Sequence, residues 1–163
     1  MAADEFILID IQLAVQKRLR SVAWFNDIEV ISEDTDPTVN ELITSRVEAA
    51  IGKIGTVAIV MPVVARMADS AETPAIYMHF QQSVRIVENP IINRADSGTG
   101  KLAIQTVCHA LLALHHYNPS ADYPDLAMFT VDPAAPFRRV PDLQRIIYDI
   151  NLLTKGGIIA AAD

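Results

Sequence analysis

The chain has 163 residues, of which 51% are hydrophobic and 20% charged, and its formal net charge is −7. This size and composition predict one domain with a packed core and exclude wholesale disorder. The negative charge argues against a general affinity for nucleic acid or anionic membranes, since both require Lys and Arg to neutralise phosphates. We expect one domain over residues 1–155 and a flexible C-terminal tail over 156–163.

The N-terminal half predicts a helix, a short strand and a second helix. Residues 6–19 have helical spacing, with an apolar stripe at positions 7, 8, 11, 15 and 19. Residues 27–32 alternate as a short strand. After a turn-rich loop, residues 41–54 predict a second amphipathic helix that ends near Gly52 to Gly55.

Two strands are predicted next, as a long antiparallel hairpin that can project beyond the domain body. Residues 56–67 are apolar and β-branched, and Pro62 favours an edge, a bulge or a break. Residues 75–87 alternate, with Gln82 as a lapse in the apolar face. The polar face of this second strand consists of Tyr77, His79, Gln81, Ser83 and Arg85.

The C-terminal half predicts a loop over 88–100, a third helix over 101–116, and strands over 125–132 and 143–153. The third helix has an apolar stripe and an expected cap, Ser97 or Thr99. Its stripe consists of Ile104, Val107, Cys108, Leu111 and Leu114. The element order predicts an α+β fold, with a mostly antiparallel sheet covered on one face by about three helices.

The stretch "DSGTGKLA" (96–103) is similar to a phosphate-binding loop. That motif requires a glycine where Ala95 stands and a metal-binding hydroxyl where Leu102 stands. We therefore expect a helix entry, with Lys101 as an ordinary first-turn residue. A small nucleotide-binding enzyme that uses this loop is the alternative from a different functional class.

Other chemical signatures are missing. The single cysteine, Cys108, excludes an internal disulfide, and its apolar helical context predicts a buried thiol. His109, His115 and His116 lack zinc-ligand spacing. Neither a signal peptide nor an apolar run long enough to span a membrane is recognisable, so we expect a soluble protein. We predict no catalytic, cofactor-binding or metal-binding residues, and a binding module of unknown partner is a further alternative.

Two segments are candidate protein–protein interfaces. In the proline-rich loop "PAAPFRRVPD" (133–142), Phe137 stands beside Arg138 and Arg139, a composition enriched at interfaces. The opposite interpretation is that Phe137 packs on the core and the arginines are solvated. The second candidate is the polar face of the hairpin, namely Tyr77, His79, Gln81 and Arg85.

The order of elements and four short runs carry a family resemblance over roughly residues 3–155. The runs are "VRIVENPIINR", "GTGK", "LAIQTVCHALLALHHY" and "IIYDINLL". This arrangement resembles the tail terminator, or tail completion, proteins of long-tailed bacteriophages and prophages. In that family a strand ending in Glu-Asn leads through a loop into a helix ending in Leu-His.

The resemblance implies a non-enzymatic virion protein of the tail–neck region, assembled in the cytoplasm of a host bacterium. Such a subunit forms a ring, usually sixfold, that caps the tail tube and presents a surface to the neck or head-completion protein. Strand 75–87 would contribute to subunit contacts, and loop 133–142 would contact the tube or neck. DNA would pass through the lumen without specific binding, which suits an acidic protein. Another neck or head-completion protein is the alternative within this class.

Overall fold

The computed structural model describes residues 3–34, 36–67, 75–96, 98–124 and 126–159. In these ranges the chain forms four α-helices, one 3₁₀ turn (Ala23–Asp27) and seven strands. The helices are α1 (Ala3–Arg20), α2 (Pro37–Ile54), α3 (Pro90–Asn93) and α4 (Ala103–Leu114). The strands are β1 (Glu29–Ser32), β2 (Thr56–Val60), β3 (Val64–Met67), β4 (Ala75–Glu88), β5 (Thr130–Val131), β6 (Phe137–Val140) and β7 (Ile146–Ile159). Within the described ranges, no helix is long and apolar enough to cross a membrane.

All seven strands form one sheet, in the order β1-β2-β4-β7-β5, with β3 beside β4 and β6 beside β7. Only β1 and β2 run parallel, so the prediction of an α+β fold with a mostly antiparallel sheet is confirmed. The centre of the sheet is the β4–β7 ladder, which pairs residues 75–88 with 146–159. It includes residues 156–159 of the predicted tail, and 160–163 lie outside the described residues.

Helices cover both faces of the sheet, whereas the sequence predicted only one covered face. On the α1/α4 face, α1 and α4 pack against the even-numbered residues of β4 and β7. The buried side chains there include Ile11, Val15, Leu19, Val107, Leu114, Phe80, Val84, Ile86, Ile150 and Leu152. On the opposite side, the α2 face, α2 forms a smaller cluster. That cluster contains Ile31, Val47, Ala50, Ile51, Val57 and Val87.

The second helix begins four residues before the predicted start, because its capping residue lies in the turn-rich loop. The Asp36 carboxylate accepts hydrogen bonds from the backbone amides of Thr38 and Val39, and Pro37 occupies the first turn. Gly55 ends the helix in the left-handed region, with φ of 84°. A Cβ on Gly55 would lie 2.4 Å from the Asn93 backbone, so a side chain is excluded there.

Of the three outcomes that Pro62 favours, an edge, a bulge or a break, the structure has a break, since β2 ends at Val60 and β3 begins at Val64. The same break explains the lapse at Gln82, whose side chain is fully buried on the α1/α4 face. Its Nε2 donates to the Met61 carbonyl at 2.5 Å and thereby satisfies an acceptor that the interrupted ladder leaves.

Several expectations for the C-terminal half were wrong. The loop 88–100 contains α3, and the strand predicted over 125–132 is limited to Thr130–Val131. Loop 133–142 contains β6, because the chain there returns to the edge of β7. Helix α4 has no cap from Thr99, whose hydroxyl bonds elsewhere, and Ser97 lies outside the described residues.

The buried side of α4 is also rotated away from the predicted stripe. It consists of Ala103, Thr106, Val107, Ala110, Ala113 and Leu114. Ile104 and Cys108 are exposed, so the prediction of a buried thiol was wrong. Small residues let α4 lie close to the sheet, and a hydrophobicity pattern that counts only large apolar residues misses that face.

Candidate subunit interface

The two candidate interfaces predicted from the sequence meet at one carboxylate on the α2 face. Asp149 of β7 is 5% exposed and lies opposite Arg85 of β4 and Arg138 of β6. The Arg85 guanidinium donates two hydrogen bonds to it, at 2.8 and 3.0 Å. Arg138 Nη2 lies 3.7 Å from the same carboxylate. The pairing therefore joins the hairpin strand and the proline-rich segment across three neighbouring strands.

This ion pair has a defined electrostatic consequence. The hydrogen bonds from Arg85 to Asp149 raise the pKa of the guanidinium, against the opposing effect of partial burial. A buried carboxylate must be paired, and a bidentate guanidinium is the geometry that fits it best. Asp149 thus holds Arg85 within the sheet. The Arg138 side chain, 71% exposed, lies at the edge of this face.

The remaining hairpin candidates continue along the same face. Gln81 lies opposite Leu153, and the exposed His79 lies opposite Lys155. The backbone of Tyr77 pairs with Gly157, and the Tyr77 side chain is outside the described set. The alternation of this strand places Gln81 and His79 on the face opposite α1 and α4. Their role in an interface stays a prediction.

Phe137 combines features of both interpretations offered for it. Its ring contacts Tyr148 edge-on, with centroids 6.1 Å apart, yet 40% of the residue is exposed. Arg139 is also exposed on the same short strand. Prolines at 133, 136 and 141 flank this segment, and Asn151 Nδ2 donates to the Ala135 carbonyl at 2.9 Å. The segment is therefore anchored at its base and presents apolar and cationic groups at its edge.

The loop that resembles a phosphate-binding loop packs around a buried polar cluster. Glu88, 1% exposed, accepts hydrogen bonds from the Ala103 amide at 2.7 Å and from Asn93 Nδ2 at 3.0 Å. Asn93 in turn accepts from the Thr99 hydroxyl at 2.6 Å. A Cβ on Gly98 would lie 2.2 Å from the Ile92 carbonyl oxygen, so only glycine fits. Gly98 therefore allows close packing of the chain on itself.

Lys101 takes part in this packing and is not the ordinary first-turn residue that the sequence predicted. Its ammonium donates to the Trp24 carbonyl at 2.6 Å and to Asp27 at 3.0 Å. It also lies 5.1 Å from the centre of the Trp24 ring. Only 18% of its side chain is exposed. Lys101 therefore ties the loop to the 3₁₀ turn through backbone, carboxylate and aromatic contacts.

The histidines of α4 and its C-terminus have separate structural contacts. His109 stacks on Trp24, with ring centres 3.9 Å apart. His115 Nδ1 accepts a hydrogen bond from the Val131 amide at 3.1 Å. Across the part of the chain that the structure describes, no three His, Cys, Asp or Glu side chains lie close enough to hold a metal ion.

Comparison with solved structures gives a likeness over almost the whole chain. A chain of the "Virion of native gene transfer agent (GTA) particle" is similar at a TM-score of 0.54 and 15% sequence identity. The match covers 90% of this chain and 93% of that one. At this identity the likeness concerns the fold. The sequence matches no protein-family model, and no curated protein is significantly similar to it.

Sequence reasoning missed Glu88 and Asp149 as organising residues, although Asp149 stands in a strand that it predicted and Glu88 directly follows one. It placed Glu88 in a loop and left Asp149 as an outward-facing strand residue. A carboxylate within an otherwise apolar strand was the available signal, since burial of such a group demands a partner. The partners of such a carboxylate lie on other segments of the chain, and the sequence alone does not identify them.

Proposed function

We propose that this chain is a structural protein of a phage-like virion, and within it a tail terminator that caps the tail tube and joins it to the head or neck. The observation that carries the proposal is the fold likeness to a chain of a gene transfer agent virion, over 90% of this chain. The run "VRIVENPIINR", leading through "GTGK" into α4, supports the narrower assignment. The hydrogen bonds of Glu88, Asn93 and Thr99 explain why these residues occur in that run, since they hold the loop and the start of α4 together.

In this proposal the protein is a ring-forming, non-enzymatic subunit, with six copies as the expected number. Its partners are further copies of itself, the tail tube protein and a neck or head-completion protein. The Arg85–Asp149–Arg138 group and the exposed Phe137 and Arg139 are the proposed contact residues. The net charge of −7 suits a lumen through which DNA passes without binding, since like charges repel.

The first experiment is negative-stain electron microscopy of the purified protein at high concentration with Mg²⁺. Closed rings with an open lumen are the expected result. Particles assembled with a gold-labelled tag on this chain then give its position. Label at the junction of tail and neck supports the terminator role, whereas label elsewhere in the neck or head supports another completion protein.

The nucleotide-binding alternative has a separate test. Because Lys101 is engaged by Trp24 and Asp27, we expect saturating ATP with Mg²⁺ to leave the melting temperature unchanged. A ligand that binds only the folded state at 100 times its Kd stabilises it by about 2.7 kcal/mol, a clearly measurable shift. A shift that Lys101→Ala abolishes would support the enzyme instead.

A further inference from the structure

The sheet has four edge segments, and two of them are closed by the chain itself. Along one side, the outward carbonyl of Val30 in β1 accepts hydrogen bonds from Gln16 Nε2 at 3.1 Å and from Arg20 Nη2 at 2.8 Å. Both donors come from α1. Side chains that occupy edge carbonyls prevent another strand from pairing there.

The edge at β5 is closed as well. The Val131 amide donates to His115 Nδ1 at 3.1 Å. Just before β5, the Phe129 amide donates to the Tyr117 carbonyl at 2.8 Å, and the Phe129 carbonyl accepts from the His116 amide at 2.9 Å. The end of α4 thus covers this edge through the His115 side chain and the backbones of His116 and Tyr117.

The two other edge segments, β3 and β6, are open. Among the described residues, their backbones pair only with β4 and β7 respectively. The Asn151 amide donates to the Pro136 carbonyl, so odd-numbered residues of β7 direct their backbone groups toward β6. Arg138 and Val140 receive those bonds, and the backbone groups of Phe137 and Arg139 point outward.

The same reasoning applies to β3. The Ser83 carbonyl accepts from the Met61 amide, so odd-numbered residues of β4 face β2 and β3. Residues opposite them, Val64 and Arg66, bond to β4, and the backbone groups of Ala65 and Met67 point outward. Exposed apolar side chains lie at both open edges, with Val64 53% exposed and Phe137 40% exposed.

We propose that β6 of one copy pairs with β3 of the next, so that the sheet continues from copy to copy. This inference rests on the proposed role as a ring-forming subunit, and a second copy is the occupant because the strand directions match. Strand β3 runs antiparallel to β4, and β6 runs antiparallel to β7, which itself opposes β4. Consequently β6 and β3 meet antiparallel, as every other neighbouring pair in the row β3-β4-β7-β6 does.

The stagger between the two edges has the size that a closed sheet requires. Strand β3 pairs with residues 78–81 of β4. Strand β6 pairs with residues 147–150 of β7, which in turn pair with residues 84–87 of β4. Measured along β4, the two edges are therefore offset by six residues, from 78 to 84. Six residues span about 20 Å along a strand, and four neighbouring strands span about 19 Å across the sheet. If β6 of one copy overlaps β3 of the next along their full lengths, the strands are therefore tilted by about 45° from the axis of the closed sheet, within the range that closed sheets have. The contact is head-to-tail, the type that generates rings.

The test removes one outward amide from each open edge. Arg139→Pro and Ala65→Pro each delete an edge donor without touching the ladder to β7 or β4, a position where proline is tolerated in sheets. Arg139→Ala is the matched comparison, because it removes the same proposed contact side chain and keeps the amide. Only the loss of assembly beyond that of Arg139→Ala is therefore assigned to the amide. Sedimentation velocity gives the size of each assembly, and circular dichroism verifies that each variant is folded.

We expect assemblies for the wild type, weaker but retained assemblies for Arg139→Ala, and monomers for each proline variant alone. An equimolar mixture of the two proline variants should give dimers only, because one intact β6 and one intact β3 remain. Self-dimers of Ala65→Pro would instead show β6–β6 pairing and overturn the proposal. So would a mixture that stays monomeric, or a wild type that stays monomeric at near-millimolar concentration.

The two proposals fail in different ways. Closed rings that persist in both proline variants would overturn edge pairing and leave the ring function standing. Open chains of the wild type that both proline variants disrupt would support edge pairing and count against a ring that caps a tube. Electron micrographs of the same samples separate these two outcomes.

Discussion

Replacement of Glu88 by glutamine tests whether the buried carboxylate fixes the start of α4. Both carboxylate oxygens accept hydrogen bonds, one from the Ala103 amide at 2.7 Å and one from Asn93 Nδ2 at 3.0 Å. A glutamine side chain has only one oxygen. In either orientation of the amide, its NH₂ group would face one of these two donors, so one buried donor loses its acceptor.

The magnitude follows from these contacts. A hydrogen bond to a charged group contributes about 1.5–3 kcal/mol, and a buried donor left without a partner costs about 1–3 kcal/mol. The neutral amide avoids burial of a charge, which offsets part of this loss. We expect Glu88→Gln to lower the free energy of unfolding by about 2–3 kcal/mol. For a domain of this size, that corresponds to about 4–12 °C in melting temperature.

Urea denaturation followed by far-ultraviolet circular dichroism measures this change. Glu41→Gln is the matched control, because Glu41 lies exposed on α2 and its substitution should change stability by less than about 0.5 kcal/mol. A Glu88→Gln protein as stable as the control would refute the reasoning. It would show that the carboxylate does not hold Asn93 and the first turn of α4 together.

Three other predictions concern α2 and α4. Gly55→Ala should destabilise the protein by more than about 1 kcal/mol, because the φ of Gly55 is 84° and a Cβ there would meet the Asn93 backbone. Gly52→Ala, where a Cβ meets nothing, should stabilise it by about 0.5–1 kcal/mol, and urea denaturation of the two variants measures the difference. The bidentate Arg145 lowers the pKa of Glu48, so this half-exposed pair should contribute up to about 1 kcal/mol at neutral pH, and this contribution is lost as the pH falls through the lowered pKa; melts of Arg145→Ala across pH should show the difference vanish in acid. Cys108 should react with a thiol reagent in the native protein as fast as in urea, and protection would show that it is buried.

Local patterns were sufficient where one face of a segment is buried against large apolar neighbours. The stripe at 7, 8, 11, 15 and 19 predicted α1, and an alternation with one lapse, at Gln82, predicted β4, since burial of one face imposes the period of the element on the sequence. Prediction was wrong where burial involves small or polar side chains. The packed face of α4 consists mainly of alanine and threonine, and Gln82 occupies a core position because a strand break leaves a carbonyl for it.

The candidate site shows the same division. The sequence identified Phe137, Arg138 and Arg85 by residue type, but it treated them as two separate surfaces. Only the register of β4, β7 and β6 brings Arg85 and Arg138 to Asp149, and the β4–β7 part of this register pairs Arg85 with a residue 64 positions away. The contact of Lys101 with Trp24 also joins distant segments, 77 residues apart.

The sequence by itself determined the fold class, the main helices and strands, and the alternation of β4, because periodicity is a local property of the chain. The tertiary structure decided which strands lie at the edges and which edges are closed. An edge strand and a central strand can carry the same alternation, and α1 and the end of α4 reach β1 and β5 through contacts that exist only in the tertiary structure. That β3 and β6 have no further backbone partner among the described residues therefore follows from the packing of distant segments and not from the residues of either strand.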